Sequence, residues 1–244
     1  LKKLCADLFV VVAYGQLLSD ELLGLPALMP INLHASQLPR YRGAAPINWA
    51  IINGDKKTGV SIMYMVAKMD AGPLIAQREV KIEDQDTAVT LEEKLGICGA
   101  GLLTETLESI QKRDYRLVEQ DEDKAVYAPK LKKETGWIDW HTPAVAIHNQ
   151  IRGLLLWPGA FTSYRRKMLK IFSAQVLTAF PSHQPLPGEV VWADASGIVV
   201  ACGKGFLKLL ELQLEGARRM SVQDFMAGHK LAAGEVLGKN SCKI

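Results

Sequence analysis

Cysteine is scarce in this chain of 244 residues: Cys5, Cys98, Cys202 and Cys242 stand forty or more residues apart, which excludes a disulfide-dense scaffold and any C-x-x-C metal or redox pair. Such usage fits a reducing compartment. Long apolar runs are also missing. The strongest, Leu8 to Ala13, falls far short of the ~18–20 residues of a membrane span, so a soluble protein is expected. Glycine (20) and proline (11) are not in excess, and 48% hydrophobic with 23% charged residues is an ordinary globular balance, which excludes disorder and collagen-like or low-complexity arrays. The chain opens on Leu1 without the charged, apolar and small-residue regions of a signal peptide. Among His34, His141, His148, His183 and His229 there is no H-x-x-x-H. No G-x-S-x-G occurs, and Gly203-Lys204-Gly205 lacks the rest of a phosphate loop. Metal-dependent hydrolysis, a serine triad and P-loop chemistry therefore find no support.

Charge is unevenly placed. The net +3 of the whole chain separates into −2 for residues 1–134 and +5 for residues 135–244, a pointer to a polyanionic partner at the C-terminal end.

The β-branched run Leu8-Phe9-Val10-Val11-Val12-Ala13 predicts a strand covered on both faces in a parallel sheet. Ser19 is placed to cap a short helix over Asp20–Leu23, and Ile31-Asn32-Leu33-His34 predicts a second strand. Pro46 opens a helix through Ile52 that Asn53-Gly54 closes. Val60–Met65 and Leu74–Val80 read as further strands. From Thr90 to about Lys112, Leu91, Leu95, Cys98, Leu102, Leu103, Leu107 and Ile110 recur at helical spacing. This alternation predicts part of a doubly wound α/β domain over residues 1–112. Residues 113–134 are charged and aperiodic, and read as a linker. Beyond it, Thr142-Pro143 starts a helix to about Leu155. Strand-like runs follow at Ala160–Tyr164, Met168–Val176, Glu189–Ala193, Gly197–Cys202 and Phe206–Leu214, with a short helix at Val222–Ala227 capped by Ser221. Short strands at this spacing suggest a small β-barrel over residues 135–244.

Asn32 and His34 are two apart on a strand, so both side chains leave one face just before a loop, where open α/β sheets place their ligand crevice. A carboxamide that donates to a developing oxyanion, next to an imidazole that moves a proton, describes acyl-type transfer. A capping asparagine and a hydrogen-bonded histidine would give the same spacing. Asp70, in Met69-Asp70-Ala71-Gly72, reads either as an orienting carboxylate or as a turn residue. Arg40 and Arg42 flank Tyr41, a pattern that suits phosphate contact or an ordinary solvated loop.

The run from Ile31 through Asn32-Leu33-His34-Ala35-Ser36-Gln37-Leu38-Pro39-Arg40-Tyr41-Arg42-Gly43-Ala44-Ala45-Pro46, with Lys68-Met69-Asp70-Ala71-Gly72, resembles the folate-dependent formyltransferase family. Tyr41-Arg42-Gly43-Ala44-Ala45-Pro46, Asn53-Gly54-Asp55, Thr58-Gly59-Val60 and Ile138-Asp139-Trp140 look like its methionyl-tRNA branch. The resemblance spans nearly the whole chain. It implies a partial doubly wound (Rossmann-like) formyltransferase domain followed by a small OB-like β-barrel that helps to hold tRNA. It further implies 10-formyltetrahydrofolate as formyl donor, initiator methionyl-tRNA as acceptor, no metal, and a monomer in a bacterial-type cytoplasm, with a mitochondrial setting left open.

By the same resemblance Asn32, His34 and Asp70 are the catalytic constellation, and Ser36-Gln37-Leu38-Pro39 is the segment associated with the folate carrier, with Gln37 standing where the family has Leu. Arg40, Arg42, Arg165, Arg166 and Lys167 are the candidate tRNA contacts, and Lys170, Lys204, Lys208, Arg218 and Arg219 extend that set. Family members begin with about two further βα units, so the sequence reads as N-terminally truncated, with a hydrophobic sheet edge exposed. Two other readings stay beside this one. Another folate-dependent formyltransferase or hydrolase would share Asn, His and Asp, and an inactive tRNA-binding fragment would share the basic C-terminal part.

Overall fold

The computed structural model describes residues 1–177 and 185–238; His183 and Cys242 lie outside them. The chain divides into two compact units, Leu1–Ala50 with Asp55–Lys130, and Ile51–Gly54 with Leu131–Ile244.

In the first unit, β1 (Leu8–Val12), α1 (Asp20–Leu23), β2 (Met29–His34), β3 (Arg42–Gly43), α2 (Pro46–Ile52), β4 (Lys57–Tyr64), β5 (Leu74–Lys81), α3 (Ala88–Gln111) and β6 (Tyr127–Ala128) follow in order. Ser19 caps α1 through its hydroxyl, which accepts from the Leu22 amide. The main sheet runs β1-β2-β4-β5. Only β1 and β2 are parallel. β4 runs antiparallel to β2, with Asn32 opposite Met63 and His34 opposite Ser61, and β5 runs antiparallel to β4. The sheet is therefore mixed, not the parallel one expected. The loop over residues 65–73 is too short for the crossover of a dozen or more residues that a parallel neighbour needs. The side-chain pattern that marks β4 and β5 as strands carries no direction.

Among the described residues β1 pairs with β2 alone and ends the strand order, and Val10 and Val12 are exposed rather than covered on both faces. β2 and β4 are the inner strands, and β4 is buried from Thr58 to Met63. α3 begins at a Thr87–Thr90 capping box and buries Leu91, Leu95, Gly99, Leu102, Thr106 and Ile110. Its inner stripe uses Gly99 and Thr106, whereas the expected Leu107 faces outward. At Gly99 an added Cβ would lie 3.1 Å from Leu33, so this glycine seats the β2 side chain against the helix. Residues 113–134 carry short regular pieces. Val118 bridges Leu74, Glu122–Lys124 and Lys133–Gly136 form 3₁₀ turns, and β6 pairs with β3.

The second unit contains α4 (Ala144–Gly153), β7 (Ala160–Tyr164), β8 (Lys167–Leu177), β9 (Val190–Asp194), β10 (Gly197–Ala201), β11 (Phe206–Leu214), β12 (Met220–Ser221) and α5 (Val222–Gly228). Its antiparallel sheet runs β7-β8-β11-β10-β9, with β12 on β11. Among the described residues no closed barrel is seen: β7 and β9 are the ends of the strand order, bordered by single backbone contacts from Trp137 and Ile138 and from Gly234 and Glu235. Register shifts near Leu209–Leu212 interrupt the ladder of β11 with β8. One core collects Ile147 and Ile151 of α4, Leu169, Ile198, Leu209 and Phe225. Ile138-Asp139-Trp140 is part of this core: Ile138 and Trp140 are buried, and the indole N–H donates to Thr162 Oγ1 at 3.0 Å. No helix among the described residues is long and apolar enough to cross a membrane.

Candidate active site

β2 presents Asn32 and His34 on one face while Leu33 points the other way, toward Gly99 of α3. The helix thereby anchors the strand from behind and leaves the opposite face to the polar pair. His34 is buried, and its Nε2 lies 2.9 Å from the carbonyl of Tyr41. A carbonyl only accepts, so Nε2 carries the proton and Nδ1 is the basic nitrogen of the neutral ring. Tyr41 makes this contact with a left-handed backbone, φ 61°. Asn32 is half-buried, and its carboxamide makes no side-chain hydrogen bond among the described residues.

Asp70 reaches the same place from the loop between β4 and β5. Its Oδ2 lies 3.8 Å from His34 Nδ1, with side-chain exposures of 8% for the histidine and 15% for the aspartate. The same oxygen accepts from the Gly43 amide at 2.8 Å. Asp70 also has a left-handed backbone, φ 49°. Close approach then makes glycine necessary at position 72, where a Cβ would lie 1.8 Å from the Tyr64 carbonyl oxygen. The three residues read from the sequence as catalytic thus stand on two adjacent elements of one unit.

Arg42 is not on the surface. Its exposure is 0%, and its guanidinium is engaged by Gln120 and Glu122. Burial works against the Arg42 charge, but hydrogen bonding to Glu122 and Tyr127 together with their charges outweighs it and the pKa is raised. Glu122, held by Arg42 and by Lys68, is lowered to about 2. As a phosphate contact Arg42 is thus replaced by Arg42 as an internal tie; its partners lie some eighty residues along the chain, where no local pattern announces them. Arg40, by contrast, keeps a half-exposed side chain, paired with Asp55 at 2.9 Å.

Ser36 to Pro39 form a tightly held loop. Ser61 Oγ donates to the Ser36 carbonyl at 2.6 Å and accepts from the Leu38 amide, and Gln77 Nε2 donates to the Leu38 carbonyl at 2.8 Å. Ser36 spends its own hydroxyl on the Arg40 carbonyl. Gln37 is partly exposed and, with Arg40, Tyr41, Asp55, Lys56, Lys57 and Thr58, lines a cavity of about 370 Å³. Sequence reasoning missed Tyr41, Gly43, Ser61, Gln77, Gln120 and Glu122. Tyr41 and Gly43 sit inside the quoted motif and were within reach of it, whereas Gln120 and Glu122 lie in the aperiodic stretch.

In the second unit Arg165 and Arg166 are the two central residues of the turn joining β7 to β8, both left-handed at φ 49° and 65°. Such hairpin turns ordinarily take Asn-Gly. Arg165 packs over the Tyr164 ring and pairs with Glu235, and Lys167 is exposed at the start of β8. Cys202 is buried and its thiol is pushed up to about 12 by desolvation, the opposite of an activated nucleophile. Among the described residues no three His, Cys, Asp or Glu side chains gather as a metal would require.

A mixed α/β sheet that sets a carboxamide, an imidazole and a carboxylate side by side defines the class: an enzyme equipped for acyl-type transfer by hydrogen bonding and proton movement. The chain belongs to the formyl transferase family. Residues 1–107 match the formyl transferase model and residues 130–230 the model of the formyl transferase C-terminal domain. The methionyl-tRNA formyltransferase of Caldanaerobacter subterraneus subsp. tengcongensis is 45% identical over 97% of this chain and 76% of its own length. That of Bacillus licheniformis is 46% identical over 97% and 75%. The chain therefore spans about three quarters of the length of these relatives. Among solved structures, HypX from Aquifex aeolicus in complex with tetrahydrofolic acid superposes with a TM-score of 0.68 at 17% identity, over 90% of this chain and 38% of that one. The sugar 3N-formyl transferase WlaRD gives 0.66 at 18%, over 89% and 77%. Both share the fold.

Proposed function

We propose that this chain transfers the formyl group of 10-formyltetrahydrofolate to the amino group of methionyl-initiator tRNA, as a monomer in the cytoplasm. The pairing of His34 Nδ1 with Asp70 Oδ2 beside the unengaged amide of Asn32 carries the chemistry. Identity of 45% over nearly the whole chain to a methionyl-tRNA formyltransferase carries the choice of acceptor. The bound donor supplies the one-carbon group. Asn32 donates a hydrogen bond to the negative charge that develops on the formyl oxygen. His34 accepts a proton from the attacking amine at Nδ1, because Nε2 is committed to Tyr41. Asp70 stabilises the imidazolium that results, and that imidazolium returns the proton to the departing nitrogen of the donor as its bond to the formyl carbon breaks, releasing tetrahydrofolate and the formylated amine.

Residues 1–112 form the catalytic part and residues 135–244 the tRNA-holding part, joined by 113–134. Ser36, Gln37, Leu38 and Pro39 frame the folate carrier. Ser36 and Leu38 act through the shape of a loop fixed by Ser61, while the partly exposed Gln37 offers it a polar group. Arg40, Arg165, Arg166 and Lys167 contact tRNA phosphates. Two arginines kept in left-handed turn positions, at roughly 1–2 kcal/mol each, support a role for their side chains. The test is formyl transfer to charged initiator tRNA by the chain and its His34→Ala and Asn32→Ala variants. Loss of transfer in both, with folding retained, is expected, and full activity of His34→Ala would refute the reading.

A further inference from the structure

The stretch that joins α3 to β6 looks featureless in sequence, yet it places Gln120 beneath the loop that carries Asp70. Gln120 is 8% exposed, and every hydrogen-bonding position of its carboxamide is filled. Nε2 donates to the carbonyls of Asp70 at 2.9 Å and Gly72 at 2.8 Å. Oε1 accepts from Arg42 Nε at 3.1 Å and Nη2 at 2.8 Å. Arg42 in turn holds Glu122, which also takes Lys68 of the same loop at 2.7 Å. Gly43, directly after Arg42, donates its amide to the Asp70 carboxylate. Asp70 is thus held twice from one place, at its backbone through Gln120 and at its side chain through Gly43.

This grip matters because Asp70 sits at φ 49°, a conformation that a residue with a side chain adopts at a cost. Left to itself the loop would relax toward ordinary backbone angles and turn the carboxylate away from His34. Few side chains could replace the clamp. A glutamate keeps the two acceptors for Arg42 but, when ionised, has no N–H for the carbonyls of Asp70 and Gly72, and leucine has neither.

We propose that Gln120 is the positioning residue that sets the Asp70 carboxylate against His34, with buried Arg42 as its anchor. This rests on the reading of Asn32, His34 and Asp70 as the catalytic group. Gln120 touches no substrate; it acts through Asp70. A displacement of about 1 Å in a catalytic group costs on the order of 10²-fold in rate.

The test is Gln120→Glu in the full chain, measured beside Asp70→Asn. Steady-state formyl transfer should fall on the order of 10–100-fold in kcat, with KM for tRNA within about twofold. The imidazole nitrogen resonances of His34 in ¹⁵N NMR should move from their wild-type positions, although folding is kept because Arg42 retains its acceptor. If Gln120→Glu does not fold, Gln120→Asn, which keeps the amide but falls short of both carbonyls, is read the same way. Wild-type kcat, or unmoved His34 resonances, in the folded variant would overturn the clamp while a dead Asp70→Asn leaves the catalytic reading standing. Full activity of Asp70→Asn would overturn that reading, and the clamp with it.

Discussion

Replacing Asp70 by Asn removes one unit of charge and little else. The amide oxygen can still accept from Gly43, and the side chain keeps its size, so the loop over residues 65–73 has no reason to move. The loss falls on the protonated state of His34, whose Nδ1 lies 3.8 Å from the carboxylate oxygen. Two unit charges at that separation interact by about 4 kcal/mol at an effective dielectric of ~20, suited to a pair this little exposed. Neutral His34 gains almost nothing from the carboxylate, so the difference appears when the imidazolium forms in the transition state. About 4 kcal/mol corresponds to roughly a 10³-fold loss of kcat, with KM for either substrate nearly unchanged. Steady-state formyl transfer at saturating donor, with a circular dichroism melt to show that folding is intact, measures it. A loss below about fivefold would mean that His34 carries no positive charge in the transition state, and a large rise in KM would mean that Asp70 binds substrate instead.

Further outcomes follow from other parts of the molecule. Asn32→Ala removes the donor to the formyl oxygen and should cost roughly 2.7–4 kcal/mol of transition-state stabilisation, read as a 10²–10³-fold lower kcat. Glu122, lowered to about 2 chiefly by its hydrogen bond from Arg42, contributes stability that is present above its ordinary range and lost as pH falls toward 2. Glu122→Gln should therefore melt below wild type at pH 6, and the gap should close by about pH 2; a gap that persists there would refute the pairing. Gly72→Ala would force its Cβ to within 1.8 Å of the Tyr64 carbonyl oxygen unless the loop shifts, so both the melting temperature and kcat should drop. Arg166→Gly relieves a left-handed residue worth about 1 kcal/mol but adds about 0.5–1 kcal/mol of chain entropy to the unfolded state. Affinity for tRNA should fall and the slope of log K against log salt should shrink by about one.

Much of the scaffold was readable in advance. The Pro46 helix start, the ends of β7 and β11 and the capping serines at positions 19 and 221 depend on local chemistry, and local chemistry is what a sequence displays. The directions of β4 and β5 were not, because alternation of side chains is the same in either direction. Nor was the strand order of the second sheet, since strand spacing does not say which strands pair. At the site, Asn32 and His34 could be paired from their spacing on one strand, and Asp70 required the family pattern. Arg42 shows the limit most plainly. Between Tyr41 and Gly43, two residues from Arg40, it has the look of a surface cation, and only a partner far along the chain puts it inside.

The hydrogen bond from His34 to the Tyr41 carbonyl reduces the imidazole to a ring with a single port. A histidine that is free at both nitrogens can collect a proton on one side and hand it on from the other, so its substrates need not be near one another. With His34 as the proposed base, whatever gives up a proton and whatever receives it must come to the same atom, Nδ1, in turn. Both reacting nitrogens, the one attacking and the one departing, therefore have to lie on the same side of the ring, the side that Asp70 faces. Specificity then includes a traffic rule: an acceptor whose amine reached the formyl carbon from beyond Tyr41 would find no base.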